Sequence, residues 1–162
     1  MPSSSLSEIK KEIKHLQNEE LRDLCQRLGR FKAENKALLT YELFFRNNED
    51  SYVEAIKEEL RESLAVINTD SYFYMKKTIR KVLKQIRLYS RLSRQKSTEV
   101  ELLIFFCEEL NSLSPSIHKN RTLSNLYNRQ IGGIEKKLKG LHEDLQYDFN
   151  LKLEVLTQVI NP

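Results

Sequence analysis

Apolar residues recur every three or four positions along nearly the whole chain, the period of an α-helix with one buried face. Ser5 and Glu8 have capping-box spacing, and Leu6, Ile9, Ile13 and Leu16 follow as a short amphipathic helix. With Asn18 as cap, a second helix is expected over about 19–46, on Leu21, Leu24, Leu28, Phe31, Asn35, Leu38, Glu42 and Phe45. Its end, from Leu38 to Phe45, is apolar on more than one face and should be buried from several sides. A polar turn over 47–50 leads to a third helix over about 51–67, with Val53, Ile56, Leu60, Leu64 and Ile67 inward. Residues 68–71 end it and cap the next. That fourth helix, over about 71–93, buries Tyr72, Met75, Ile79, Val82, Leu83, Ile86 and Tyr89.

Thr98 and Glu101 have capping-box spacing too. The apolar run Leu102 to Cys107 could be a strand on periodicity alone. The cap before it and Glu108-Glu109-Leu110 after it favour a helix near the centre of the domain. The clearest loop is 112–116, which holds Pro115. From Leu123 to Ile160 the apolar series keeps steps of three or four through Gly132-Gly133 and Gly140. It reads as one long helix, kinked at most, or two nearly collinear ones. The fold class is therefore all-α: an antiparallel bundle of about six helices with a long C-terminal helical segment, in a single domain over 1–162.

Composition agrees. Only four Gly and three Pro leave few obligatory breaks among 162 residues. No stretch approaches the roughly 20 apolar residues of a membrane span. The start, Met1-Pro2-Ser3-Ser4-Ser5, lacks the basic and apolar regions of a secretory signal. Cys25 and Cys107 sit among apolar neighbours, outside any C-x-x-C pair, and read as packed thiols in a reducing compartment. The expected location is the cytoplasm.

Charge changes the picture. Residues 1–70 carry a net −3, 71–96 carry +9, 97–115 carry −4, 116–142 carry +5 and the last twenty −3. The segment 71–96 holds nine Lys/Arg and no Asp or Glu. At about 100° per residue, Lys76, Arg80, Lys84, Arg87, Arg91 and Arg94 fall within one arc of roughly 80°, with Lys77 and Lys81 at its edge. The apolar set lies opposite. At 1.5 Å rise per residue the basic row is about 27 Å long. Such a stripe can follow a nucleic-acid backbone or meet anionic lipid head groups, and Tyr74 and Tyr89 at its margins could stack on bases. The opposing expectation is internal neutralisation. Glu54, Glu58 and Glu62 stand at i, i+4 spacing on the preceding helix, and a hairpin could lay them against the basic row.

Catalytic chemistry finds no pattern. Glu12-x-x-His15 is a single match to the paired motifs of a di-iron bundle, while Pro115 and Lys139 stand at the matching offset before His118 and His142. Two lone cysteines and three scattered histidines lack zinc spacing. There is no Gly-x-Ser-x-Gly and no phosphate-binding glycine loop. A Cys25–His15 nucleophile pair competes with Cys25 as a packed seam residue, which the seam favours. Neither a cofactor nor a metal is implied. Asn35, a polar residue in the seam, either selects a coiled-coil register or caps a neighbouring helix, and the short seam favours the cap.

The stretch LRDLCQRLGRFKAENKALLTYELFF, Leu21 to Phe45, resembles a segment of uncharacterised bacterial all-helical proteins. That resemblance implies a helical fold and no function. Leu21, Leu24, Asn35, Lys36 and Leu39 also carry a thin likeness to the DNA-binding SAP motif. A continuous helix over 19–46 leaves no room for that motif's inter-helix loop, so the likeness is not adopted.

Two functional expectations follow. One is a non-enzymatic cytoplasmic protein–protein interaction or assembly module with an unknown protein partner, homo-oligomerisation included. The alternative is a nucleic-acid-binding protein that uses the basic face of the helix over 71–93.

Overall fold

The computed structural model describes residues 3–159, so Met1, Pro2 and Ile160 lie outside the described residues. Among those described there are eight α-helices and no strand. They are α1 (Leu6–Ile13), α2 (Asn18–Phe31), α3 (Ala33–Thr40), α4 (Glu49–Ala65), α5 (Tyr72–Ser93), α6 (Lys96–Ser112), α7 (Arg121–Leu138) and α8 (Glu143–Gln158). A π-helical turn, Tyr41–Phe45, continues α3, and a short 3₁₀ turn, Ile117–Lys119, precedes α7. No helix is long and apolar enough to cross a membrane among the described residues. Backbone contacts group residues 1–44 and 45–162 into two units.

In the first unit, the capping box of α1 forms as expected. The Ser5 N–H donates to Glu8 Oε2 at 2.7 Å, and the Glu8 N–H donates to Ser5 Oγ at 3.3 Å. Gln17, rather than Asn18, stands at the α2 cap, where its N–H donates to Glu20. The single helix expected over 19–46 does not exist. Lys32 is extended, at φ −146° and ψ 147°, and divides α2 from α3. A one-residue break barely disturbs the 3-4 spacing, which is why the seam looked continuous. The chain does turn here, by one residue only. Asn35 donates from Nδ2 to the Leu28 carbonyl at 3.0 Å, so it caps the end of α2.

The seam itself is not buried. Phe31 is 76% exposed, Leu43 71% and Phe44 75%, and only Tyr41 is buried between Leu38 and Phe45. The expectation of burial from several sides is corrected. A unit of some forty residues has little volume in which to hide side chains, and the break at Lys32 divides its apolar face. Cys25 is exposed, against the packed-thiol reading, whereas Cys107 is buried.

The second unit is an up-and-down bundle of α4 to α8. Tyr52 and Glu59 of α4 meet Tyr89 and Gln85 of α5, so this pair runs antiparallel. The Tyr72 hydroxyl donates to the Ser116 carbonyl just beyond α6 at 2.9 Å, which sets α5 antiparallel to α6. Asn111 meets Tyr127 and Glu99 meets Lys137, so α6 and α7 are antiparallel. Lys57 to Glu101 and Arg61 to Glu109 make α4 and α6 parallel. Helix α6 packs against α4, α5, α7 and α8. Hence the run Val100 to Cys107 is buried on nearly every side: a central helix, as its uniform apolarity implied.

Helix boundaries moved at both ends of α4 and at the start of α6, and because α4 ends at Ala65, Ile67 lies beyond it and is only half-buried. Helix α4 begins at Glu49, because Asn48 Oδ1 accepts from the Ser51 N–H at 3.1 Å. Thr98 is not a cap, because α6 begins at Lys96. The hydroxyls of Thr98 and Ser93 both donate to Glu49 Oε1, tying the start of α4 to the α5–α6 corner.

The C-terminal segment is a hairpin, not one helix or two collinear ones. Tyr127, near the start of α7, donates from its hydroxyl to the Leu156 carbonyl at 3.1 Å, near the end of α8. The four residues 139–142 form the reversal, with His142 extended at ψ 148° and accepting from the Asp144 N–H. Four residues are about one helical turn, so the apolar count passes through the reversal unbroken. Gly132 and Gly133 are helical inside α7, as expected, and a Cβ built on either meets nothing within 4 Å. Replacing both with Ala should therefore raise stability by about 1–2 kcal/mol, from the gain in helix propensity and the narrower unfolded ensemble. Urea unfolding of the double variant reads this, and a lowered midpoint would mean that the glycines serve a close contact.

Candidate functional site

The basic row lies on α5, a continuous helix whose opposite face buries Met75, Ile79, Val82, Leu83 and Ile86. Arg80, Lys84, Arg87 and Arg91 are exposed and Lys76 is half-buried. Arg94 stands one residue past the helix, as its C-cap, at φ 61° and ψ 5°. It is the one non-glycine residue with positive φ among the described residues. That conformation costs an L-residue about 1 kcal/mol, and glycine would adopt it freely. Arg94→Gly is thus expected to raise stability by about 1 kcal/mol while removing one cation of the row. Parallel unfolding and oligonucleotide-binding measurements separate the two effects, and a loss of stability would deny the strain.

The acidic row of α4 does not neutralise this face. Lys57 lies 2.7 Å from both Glu54 and Glu101, and Arg61 pairs with Glu58 and reaches Glu109 at 3.8 Å. Those bridges stay on α4 or cross to α6. Arg61 also stacks over the Phe105 ring at 5.2 Å. Two α4 carboxylates reach α5, where Glu49 accepts from the Ser93 hydroxyl and Glu59 meets neutral groups. Tyr89 donates to its carboxylate at 2.7 Å, and Gln85 at 3.0 Å. Among the described residues, none of Lys76, Arg80, Lys84, Arg87, Arg91 and Arg94 stands in an ion pair.

Tyr89 is therefore engaged on the α4 side and does not offer a face to a base. Burial and the Glu59 carboxylate both push its phenol above the ordinary range. Tyr74 is half exposed at the start of α5, edge-on to the exposed Phe73 with ring centroids 5.5 Å apart.

Three adjoining depressions run beside the row. The middle one, of about 360 Å³, is lined by Arg80, Leu83 and Arg87 of α5 and by Leu126, Arg129 and Gln130 of α7. At Arg129 it joins a hollow of about 540 Å³ lined also by Thr122, Asn125 and Asn128. At Arg87 it joins a third, of about 240 Å³, which includes Arg91, Arg94 and Lys96. Glu99 edges that third hollow and is bridged to Lys137 at 3.1 Å. Of the sequence candidates, the structure brings Arg80, Arg87, Arg91 and Arg94 to this furrow, while Lys76 and Lys84 line none of the three depressions. Arg129 and its amide neighbours were not candidates. Their only sequence signal was the net +5 of residues 116–142.

No group of three or more His, Cys, Asp or Glu suited to a metal occurs among the described residues. The buried polar cluster of the bundle is structural in its connections. Asn111 donates to the Tyr127 hydroxyl at 2.9 Å, and its Oδ1 lies 2.9 Å from His118 Nε2. The His118 ring meets Tyr127 edge-on. Burial and nearby Glu108 push the Cys107 thiol up to about 12, so it holds its proton at neutral pH. Comparison with known protein families, with curated proteins and with solved structures gave no match for this chain.

Proposed function

We propose that this protein is a non-enzymatic binding module whose α5 face engages nucleic acid through its phosphates. One observation carries the reading: Lys76, Arg80, Lys84, Arg87 and Arg91 share one face of α5, Arg94 follows at its C-cap, and none of the six stands in an ion pair among the described residues. Exposed cations with no internal partner give up no existing bridge on meeting a phosphate, and they release counterions when they do. Arg80→Glu with Arg87→Glu should weaken binding to every sequence alike, because phosphate contacts carry little sequence information. Both positions are exposed, so the fold should survive. Electrophoretic mobility shift with mixed DNA and RNA at low salt reads the result. Unchanged binding would move the site off α5, and no binding by the wild type would eliminate the reading.

A second reading, protein–protein assembly in the cytoplasm, has its own support. None of α1, α2 and α3 contains a buried residue, although Leu6, Ile9, Ile13, Leu28 and Phe31 present large apolar side chains. Helix α8 adds Tyr147, Leu151 and Val155, with Val159 at its C-cap, each exposed and four apart. Uncovered apolar faces of this kind mark contact surfaces. Sedimentation velocity across a concentration series tests self-assembly, and a monomer throughout would leave a foreign partner as the form of this reading.

A further inference from the structure

We propose that the phosphate seat is the furrow between α5 and α7, where Arg80, Arg87 and Arg129 converge beside Gln130, and that the strand it takes is single. This rests on the nucleic-acid reading above and moves its centre from one helix to two. Every cation lining the middle depression is an arginine, while Lys76, Lys77, Lys81 and Lys84 of α5 lie outside it. A planar guanidinium fork grips a phosphodiester through two parallel N–H donors, whereas an ammonium acts as a point charge. Three forks around one hollow make a seat for a phosphate rather than a diffuse positive surface.

The shape selects the strand. The hollow lies between two helices, partly open to solvent, and its apolar lining is the buried pair Leu83 and Leu126. A duplex carries its phosphates on the outside of a stiff rod, so it would rest on the rims. A flexible single strand can lower one phosphate between the helices. Beyond Arg129 the furrow continues past Thr122, Asn125 and Asn128, which are uncharged donors and acceptors. Those groups match sugar hydroxyls and unpaired base edges, which a single strand leaves open.

The test compares two variants that each lose one exposed positive charge: Arg129→Gln in the furrow and Lys81→Gln outside it. The probe is a fluorescein-labelled oligouridylate followed by fluorescence anisotropy, with oligothymidylate and a mixed-sequence duplex as competitors. Arg129→Gln should weaken binding by roughly tenfold, the scale of a lost charge-assisted fork, and Lys81→Gln by less than twofold. Either single strand should displace the probe well below the duplex concentration that does so. Equal losses in the two variants, with the wild type still binding, would overturn the furrow and leave the α5 reading standing. A duplex that competes as well as the single strands would overturn the single-strand assignment. No binding by the wild type would instead remove the reading on which both rest.

Discussion

Above about pH 9 the bundle is expected to lose stability steeply, a loss that sets in before its lysines discharge and runs on through their range. Burial is the largest cause at each of three groups. It pushes the Cys107 thiol up to about 12, helped by Glu108, and the Tyr127 phenol up to about 12, opposed by the hydrogen bond from Asn111. Tyr89 is pushed up in the same direction. In the unfolded chain the thiol ionises near 9 and the phenol near 10. Between those values and the folded ones, the unfolded state binds fewer protons than the native state, so stability falls as pH rises. The contribution is complete below about pH 9 and is lost progressively toward 12. Each of the two fully buried groups adds a slope of about 1.4 kcal/mol per pH unit inside its window. Urea midpoints measured at pH 8 and at several points above it, each about half a unit apart, read the slope directly. Cys107→Ala should flatten its first part. A flat profile to pH 11 would mean that these groups open to water in the native state.

Phe106→Ala is expected to cost about 3–5 kcal/mol, a large fraction of the stability of a domain this size. Phe106 is fully buried in α6, the helix that packs against four others, so the cavity opens where no single element can collapse into it. Phe73→Ala is the internal control. That side chain is 72% exposed at the start of α5, and its removal should stay within about 0.5 kcal/mol. Chemical denaturation of both variants decides the point, and comparable costs would place the centre of the bundle elsewhere than α6.

The element read best from the sequence was the one whose apolar arc was narrow, although Ser71 at its N-cap makes no side-chain cap bond. Helix α5 runs from Tyr72 to Ser93 with Ile79, Val82 and Ile86 inward, as the separation of its arcs required. Helix α6 was legible for the opposite reason, since a run apolar on all sides has to sit where all sides are covered. Two failures share one cause. The break at Lys32 and the reversal over 139–142 insert about zero and one helical turns into the apolar series, so the phase survives them. Periodicity registers a loop only by the phase it disturbs. Gly140, just before the extended His142, is the one local sign of the reversal, and the unbroken apolar steps outweigh it in the sequence.

The site was half legible. The α5 row followed from spacing alone, because its residues share one helix. Whether Glu54, Glu58 and Glu62 faced it could not be read from i, i+4 spacing, since α4 has two neighbours and turns its charged pairs toward α6. Arg129 and Gln130 lie about forty residues from Arg87, and only the fold brings them to one hollow. Cys25 failed for a different reason: its seam spacing was helical, but the helix carrying it buries none of its residues.

Phosphate binding at α5 requires a face that is positively charged, unpaired and accessible. Its most direct test is the salt dependence of wild-type binding to a labelled single-stranded oligonucleotide. If about four phosphates are neutralised along the furrow, the logarithm of the binding constant should fall linearly with the logarithm of salt at a slope near −3. A slope near zero, or no binding at low salt, would contradict it.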